Sequence, residues 1–204
     1  ERAGPLPSAH PGARSAQGRP VSRRVALASY YERHMALRDG VAYGWVGQGA
    51  PQRLCEGVRQ VGVGRDTWFA LLDDGRLVRW ADRPEAADPL MAGVADFAAG
   101  DSGWFAIDPA RRLWQGRQGV PCQVADDVVA ACVGDGADYY VCGNGTLWVR
   151  GLAHRGQYGD GRLMASDAFV CTADDAVAVC AHTGHALYLR RDGVVLVAGN
   201  GDSI

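Results

Sequence analysis

The chain has 204 residues, 48% hydrophobic and 22% charged, with a formal net charge of −2. Such a composition suits a globular unit with a sizeable core in one domain, or at most two. It excludes a strongly basic nucleic-acid binder, and no apolar run reaches the length of a membrane span. All 21 basic residues are Arg; together with the wealth of Ala, Gly and Val, this reads as the mark of a GC-rich coding sequence. The chain does not open on Met, which points to processing or to a piece of a longer protein. Residues 1–24, "ERAGPLPSAHPGARSAQGRPVSRR", are rich in Pro and Arg and poor in apolar side chains, so they are expected to form an extended or disordered arm.

From Val25 onward the sequence repeats. Five segments align: "VALASYYERHMALRDGVAYGW" from Val25, "VRQVGVGRDTWFALLDDGRLVRW" from Val58, "VADFAAGDSGWFAIDPARRLWQG" from Val94, "VVAACVGDGADYYVCGNGTLWVRG" from Val128 and "AVAVCAHTGHALYLRRDGVVLVAG" from Ala176. Each reads as a short apolar strand, a polar loop, a second apolar strand, a tight turn and a third, alternating strand. The turns fall at Gly40, Gly75, Arg111, Gly145 and Gly193, at successive spacings of 35, 36, 34 and 48 residues. Four carry the glycine that a positive-φ hairpin turn favours. Arg111 departs from this, but the preceding Pro109 suits a different tight turn. A single hairpin cannot bury its own apolar face, so such units must stack. The reading is all-β, a β-propeller or partial propeller over residues 25–204.

Before each new repeat lies a connector: "PQRLCEGV", "PLMAGV", "PCQVADDV" and "VCTADDAV". These read as the return from an outer strand to the next inner one, where Pro needs no N–H partner. Cys55, Cys122 and Cys171 sit in these connectors and Cys132 and Cys180 in equivalent first strands, while Cys142 lies in the apolar run "YYVCG". Six cysteines permit three disulfides, but repeat-equivalent placement in apolar runs favours reduced thiols acting as small buried hydrophobes. The compartment stays open.

"VGVGRDTWFALLDDGRLVRW", "AHTGHALYLRRDGVVLVAGN" and above all "GLAHRGQYGDG" at residues 151–161 carry a resemblance. The chain resembles the regulator of chromosome condensation repeat family, whose unit holds an Ala-Leu, an Asp-Gly turn, a Trp-Gly and a Gly-Gln-Leu-Gly segment. Ala70-Leu71, Asp74-Gly75, Trp80, His185, Asp192-Gly193 and Gly199-Asn200 stand at matching positions. Its spacing near 35 residues is shorter than the family's and is similar to that of bacterial β-lactamase-inhibitor propellers. The resemblance implies a β-propeller of seven blades, of which five repeats are visible. The ring is therefore either five-bladed or completed by another chain.

Several motifs suggest chemistry that their context removes. "GDSGW", Gly100 to Trp104, matches the surroundings of a trypsin-like serine, but no upstream His and Asp stand in a protease setting. It aligns instead with "GRDTW" and "GDGAD", so Ser102 reads as a loop residue. "CAHTGH", with Cys180, His182 and His185, supplies metal-ligand types, yet His185 occupies a position where the family repeat has its own histidine. "GDGADYY" and "YGDGR" lack the carboxylate run of a calcium loop, and "VGVGRD" lacks the helix of a phosphate loop. No cofactor is expected.

What remains is a set of loops between first and second strands, on one face of the propeller. Tyr31, Arg33, His34, Arg65, Asp66, Trp68, Asp101, Trp104, Asp135, Tyr139, His182 and His185 are the residues expected to bind a partner, since aromatic and Arg side chains dominate interface energetics. Trp68 and Trp104 stand near strand starts and have a competing reading as core. The expected function is a non-catalytic protein-binding module or accessory subunit, its partner a protein or other subunits of a complex. Two alternatives are a propeller enzyme with a central His/Asp site and a nucleotide-exchange or chromatin-associated factor. The second is disfavoured by the absence of excess positive charge.

Overall fold

In the computed structural model, which describes residues 25–81, 86–101, 103–116 and 120–199, each repeat folds into one antiparallel sheet. The arm expected over residues 1–24, and Ser102, lie outside the described residues. Blade 1 holds β1 (Val25–Tyr30), β2 (Arg33–Arg38), β3 (Val41–Val46) and β4 (Gln52–Glu56). Blade 2 holds β5 (Val58–Val63), β6 (Trp68–Leu72), β7 (Leu77–Trp80) and β8 (Asp88–Met91). Blade 3 holds β9 (Asp96–Gly100), β10 (Gly103–Ile107), β11 (Leu113–Gly116) and β12 (Cys122–Ala125). Blade 4 holds β13 (Val128–Val133), β14 (Ala137–Cys142), β15 (Leu147–Gly151) and β16 (Ser166–Ala173). Blade 5 holds β17 (Ala176–His182), β18 (His185–Arg190) and β19 (Val195–Gly199). The segments read as connectors are therefore fourth strands, β4, β8, β12 and β16, each paired with the open edge of its blade's third strand. That edge would otherwise leave a row of unpaired backbone groups.

The turn positions hold the backbone the sequence demands. Gly40, Gly75, Gly145 and Gly193 lie at φ of 81°, 84°, 96° and 89°, and Arg111 adopts 63° without the glycine. The turns also latch one blade to the next. The carbonyls of Gly40, Gly75, Arg111 and Gly145 accept the N–H of Val58, Val94, Val128 and Ala176 at 3.0, 2.9, 2.8 and 2.9 Å. Each of these four donors opens or precedes the first strand of the following blade and is buried.

Between blades the core forms four layers. Alternate residues of a second strand point to opposite neighbours, as strand geometry requires. On β6, Trp68 and Ala70 pack toward blade 1, whereas Phe69 and Leu71 pack toward blade 3. Phe105, Ile107 and Leu113 of blade 3 meet Val128, Val133 and Tyr140 of blade 4. Tyr139, Val141, Leu147 and Val149 of blade 4 meet Ala176 and Ala186 of blade 5. Burying one such large side chain contributes about 1.5–3 kcal/mol, so the layers hold the stack together.

The longest spacing, 48 residues, comes from the segment around Gly156-Gln157-Tyr158-Gly159 between β15 and β16. It is a plug in the layer between blades 4 and 5. Tyr139 Oη donates to the Gln157 carbonyl at 3.2 Å, and Gln157 Oε1 accepts the Arg155 N–H at 2.9 Å. Tyr158 Oη donates to the Gly151 carbonyl at 3.0 Å and accepts the Ser166 N–H at 3.1 Å.

All six cysteines are free thiols. Their expected burial holds only in part, because Cys122, Cys171 and Cys180 are exposed, the first two on outer strands whose one face is open to water. Cys132 lies in the layer between blades 4 and 5, where its sulfur accepts the Ala181 N–H at 3.1 Å and burial pushes its thiol up to about 11.

Candidate functional site

The first strands of all five blades line a central channel of about 280 Å³, walled by small side chains such as Ala28, Val61, Ala99, Val133 and Ala181. Tyr30 and His182, at the last positions of β1 and β17, belong to its lining, and their rings approach across the gap between blades 1 and 5 to 5.5 Å. Loops between first and second strands crown this end. Their polar tips are linked around the mouth. Arg65 of blade 2 is ion-paired with Asp101 of blade 3. Thr183 of blade 5 donates its hydroxyl to Asp135 of blade 4 at 3.1 Å.

Tyr30 registers this convergence. Burial, followed by the negative charges of Asp101 and Asp135, pushes its phenol up to about 12. It therefore stays a neutral donor throughout the physiological range. Arg65 responds in the opposite way: its hydrogen bond to Asp101, and then that carboxylate's charge, hold the guanidinium pKa above its ordinary value.

Beside the mouth, between blades 1 and 2, lies a cleft of about 390 Å³ lined by Tyr31, Glu32, Arg33, Val46, Arg65 and Asp66. Tyr31 stands at the tip of the β1–β2 hairpin, 62% exposed, with φ of 48°. A left-handed backbone is costly for a bulky side chain, of order 1–3 kcal/mol, and is retained only where the surroundings impose it. Its ring packs edge-on against Tyr30 at 4.9 Å, and the Arg65 guanidinium lies 5.9 Å from its centroid. The tyrosine is thus held outward and laterally supported. Val46, 46% exposed at the end of β3, adds an apolar wall that no sequence motif marks.

The expected set of partner-binding residues divides on this geometry. Tyr31, Arg65, Asp66, Asp101, Asp135 and His182 reach the crown as exposed or half-buried tips. Arg33 and His34 are strand residues of β2. The Arg33 guanidinium lies 4.8 Å from the Trp68 ring centroid; the His34 ring sits 5.3 Å from Trp45, with Nδ1 2.9 Å from Ser29 Oγ. His185 is half-buried on β18, directly paired with His182, with Nδ1 3.1 Å from the Thr183 carbonyl.

Trp68, Trp104 and Tyr139 must be withdrawn from the set of exposed tips. All three are buried on second strands, in the layers between blades. Trp68 Nε1 donates to the His34 carbonyl at 3.1 Å, which locks it across blades 1 and 2. Trp104 lies over Gly116, where a Cβ would come within 2.2 Å of its ring. Trp68 opens β6 and Trp104 is the second residue of β10, so both belong to strands rather than to loops. Among the described residues no three His, Cys, Asp or Glu side chains gather as metal ligands. His182, His185 and Asp135 instead engage Tyr30 and Thr183.

No protein-family model matches the chain, and no curated protein matches it. Solved structures do. Prp20p of Saccharomyces cerevisiae, described together with its binding to Gsp1p and histones, superposes with a TM-score of 0.72 at 15% identity, over 87% of this chain and 57% of that one. Yeast RCC1 (Prp20) bound to Kap60 gives 0.70 at 17% identity, over 87% and 56%. Human WBSCR16 gives 0.71 at 16% identity, over 91% and 64%. The chain spans less than two thirds of the length of each. Its five sheets, their order around a channel and these likenesses identify the fold as that of the RCC1-type β-propellers.

Proposed function

We propose that this propeller is a non-catalytic protein-binding module that meets a protein partner with the crown of loops around Tyr31 and Arg65. The observation that carries the reading is Tyr31, a large aromatic held outward at the rim of a cleft and flanked by two arginines. Exposed Tyr and Arg beside a concave surface are the residues from which interface hot spots are built. The rigid scaffold lowers the ordering cost of binding. Prp20p, which shares the fold, binds Gsp1p and histones, and this lends the reading support by analogy.

Affinity capture with the intact chain, quantified by mass spectrometry against Tyr31→Ala and Arg65→Ala, tests the proposal. Both side chains are exposed, so circular dichroism of the two variants should match the parent. A protein retained by the parent should fall at least about tenfold on each variant. An unchanged set of bound proteins would sink the crown as the binding face.

A further inference from the structure

One polar atom at the channel mouth has no counterpart. Tyr30 closes β1 and lines the channel with only 5% of its surface exposed, and its Oη makes no hydrogen bond among the described residues. A buried hydroxyl without a partner is destabilising, so it marks a place where something else is received. The ring itself is fixed. It packs in the layer between blades 1 and 2 with Met35, Val63 and Trp68, and its centroid lies 4.9 Å from that of Tyr31. The charges that act on the hydroxyl come from the interior blades. They are the carboxylates of Asp101, on the β9–β10 loop, and Asp135, on the β13–β14 loop, opposed by Arg65 of the β5–β6 loop. Arg65 takes Oδ1 of Asp101 and Thr183 takes Oδ2 of Asp135, which leaves one oxygen of each carboxylate without a partner among the described residues. Two carboxylates against one guanidinium make this cluster net negative.

We propose that the channel mouth binds the primary ammonium of a lysine side chain supplied by the protein partner, which donates to Tyr30 Oη and to the open oxygens of Asp101 and Asp135. This rests on the crown as the partner-binding face and names the group the partner inserts there. A neutral phenol oxygen accepts as well as donates, so all three groups can serve one cation. A divalent metal fits poorly: calcium takes about six to eight oxygens, and no three His, Cys, Asp or Glu side chains gather among the described residues. A guanidinium is planar and matches one carboxylate at a time, as Arg65 does on Asp101. An ammonium is a compact point charge whose N–H donors splay toward separate acceptors. The mouth lies at the centre of the crown, where interface anchors are most fully desolvated. No lysine of this chain competes for it, since all 21 basic residues are Arg.

The first probe is n-butylammonium, a lysine side chain without its backbone. Titrated into the intact, isotope-labelled chain near neutral pH, it should shift the amide resonances of Tyr30, Asp101 and Asp135 saturably, with a Kd of about 1–10 mM. Tetramethylammonium, of equal charge but without N–H donors, should leave them in place. Tyr30→Phe keeps the ring and loses only the oxygen, and it should weaken butylammonium about tenfold. Asp135→Asn should weaken it too, and it decides the matter should Tyr30→Phe fold poorly. In affinity capture, Tyr30→Phe should release the protein that the parent retains, and so should prior acetylation of the lysines of the applied proteins. Equal shifts from the two ammonium ions, or butylammonium binding unaltered in both variants, overturn the site. Capture that is lost in Tyr31→Ala yet survives Tyr30→Phe and acetylation overturns the partner lysine while the crown stands.

Discussion

Asp108 shows how one residue restores a turn that has lost its usual chemistry. In the turns of blades 2, 4 and 5, the side-chain oxygen of Asp74, Asn144 or Asp192 accepts the N–H two residues on, each at 3.0 Å. Blade 3 has Ala110 at that position and Arg111 in place of glycine. Asp108, at the start of the turn, supplies the missing acceptor: its Oδ1 takes the N–H of Ala110 at 2.9 Å and of Arg112 at 3.0 Å. Its Oδ2 takes Arg112 Nε at 2.7 Å and Trp114 Nε1 at 3.1 Å. Burial acts to raise the carboxyl pKa, but the Arg112 N–H, the Trp114 indole and the Arg112 guanidinium together hold it below the ordinary range. A carboxyl with a depressed folded-state pKa stabilises the fold above its unfolded pKa of about 3.9, and that contribution is lost as pH falls through the folded value. Asp108→Asn should therefore lower stability by about 1–2 kcal/mol at neutral pH, with the deficit shrinking in strong acid. Urea unfolding followed by tryptophan fluorescence at both pH values is the check; a deficit independent of pH would mean the charge contributes nothing.

At the scale of the element, the hairpin turn is both a local device and a joint between blades. Gly145, at φ 96°, has the Asp174 carbonyl 2.9 Å from where a Cβ would stand, and its own carbonyl holds Ala176 of blade 5. Gly193, at φ 89°, has nothing within 4 Å of that point. Gly193→Ala should thus cost only the left-handed backbone, about 1 kcal/mol, whereas Gly145→Ala must also displace the next blade and should cost about 2–4 kcal/mol. Equal losses in urea unfolding would show that the joint carries no energy. These turns were legible because glycine at positive φ leaves a plain mark between alternating runs. Arg111 was legible as a turn through Pro109, but the compensating role of Asp108 was not, since it depends on a side chain folding back across four residues. The fourth strands were read as connectors because a short edge strand, wetted on one side, has too few apolar positions to alternate. Of the crown, Tyr31, Arg65, Asp101 and Asp135 were legible as polar loop tips. Trp68, Trp104 and Tyr139 were not separable from them, because a strand's first residues and a loop's last look alike until hydrogen bonding divides them.

For the whole molecule, stability follows from stacking. Each blade packs on the next in sequence, and strand-on-strand packing of that kind is absent between blades 5 and 1 among the described residues. Such a stack behaves approximately as a sum of blade terms and nearest-neighbour layers. Blades 2, 3 and 4 have both faces covered, as the nearly continuous burial of β6, β10 and β14 records. β18 of blade 5 is covered on one side only, by Ala186 and Tyr188 against blade 4. Losing one apolar layer of several large side chains is worth several kcal/mol at about 1.5–3 kcal/mol each, well above the thermal scale on which local opening is sampled. Amide hydrogen exchange should therefore be graded around the ring rather than uniform. Amides of β18 and β19 should exchange well before those of β10 and β14. The amides of buried Asp138 and half-buried Arg150, whose side chains are joined at 2.9 Å in blade 4, should fall within the slowest group. A single exchange free energy shared by β10, β14 and β18 would mean the ring opens as one unit, and the layers would then not be the independent joints that their packing describes.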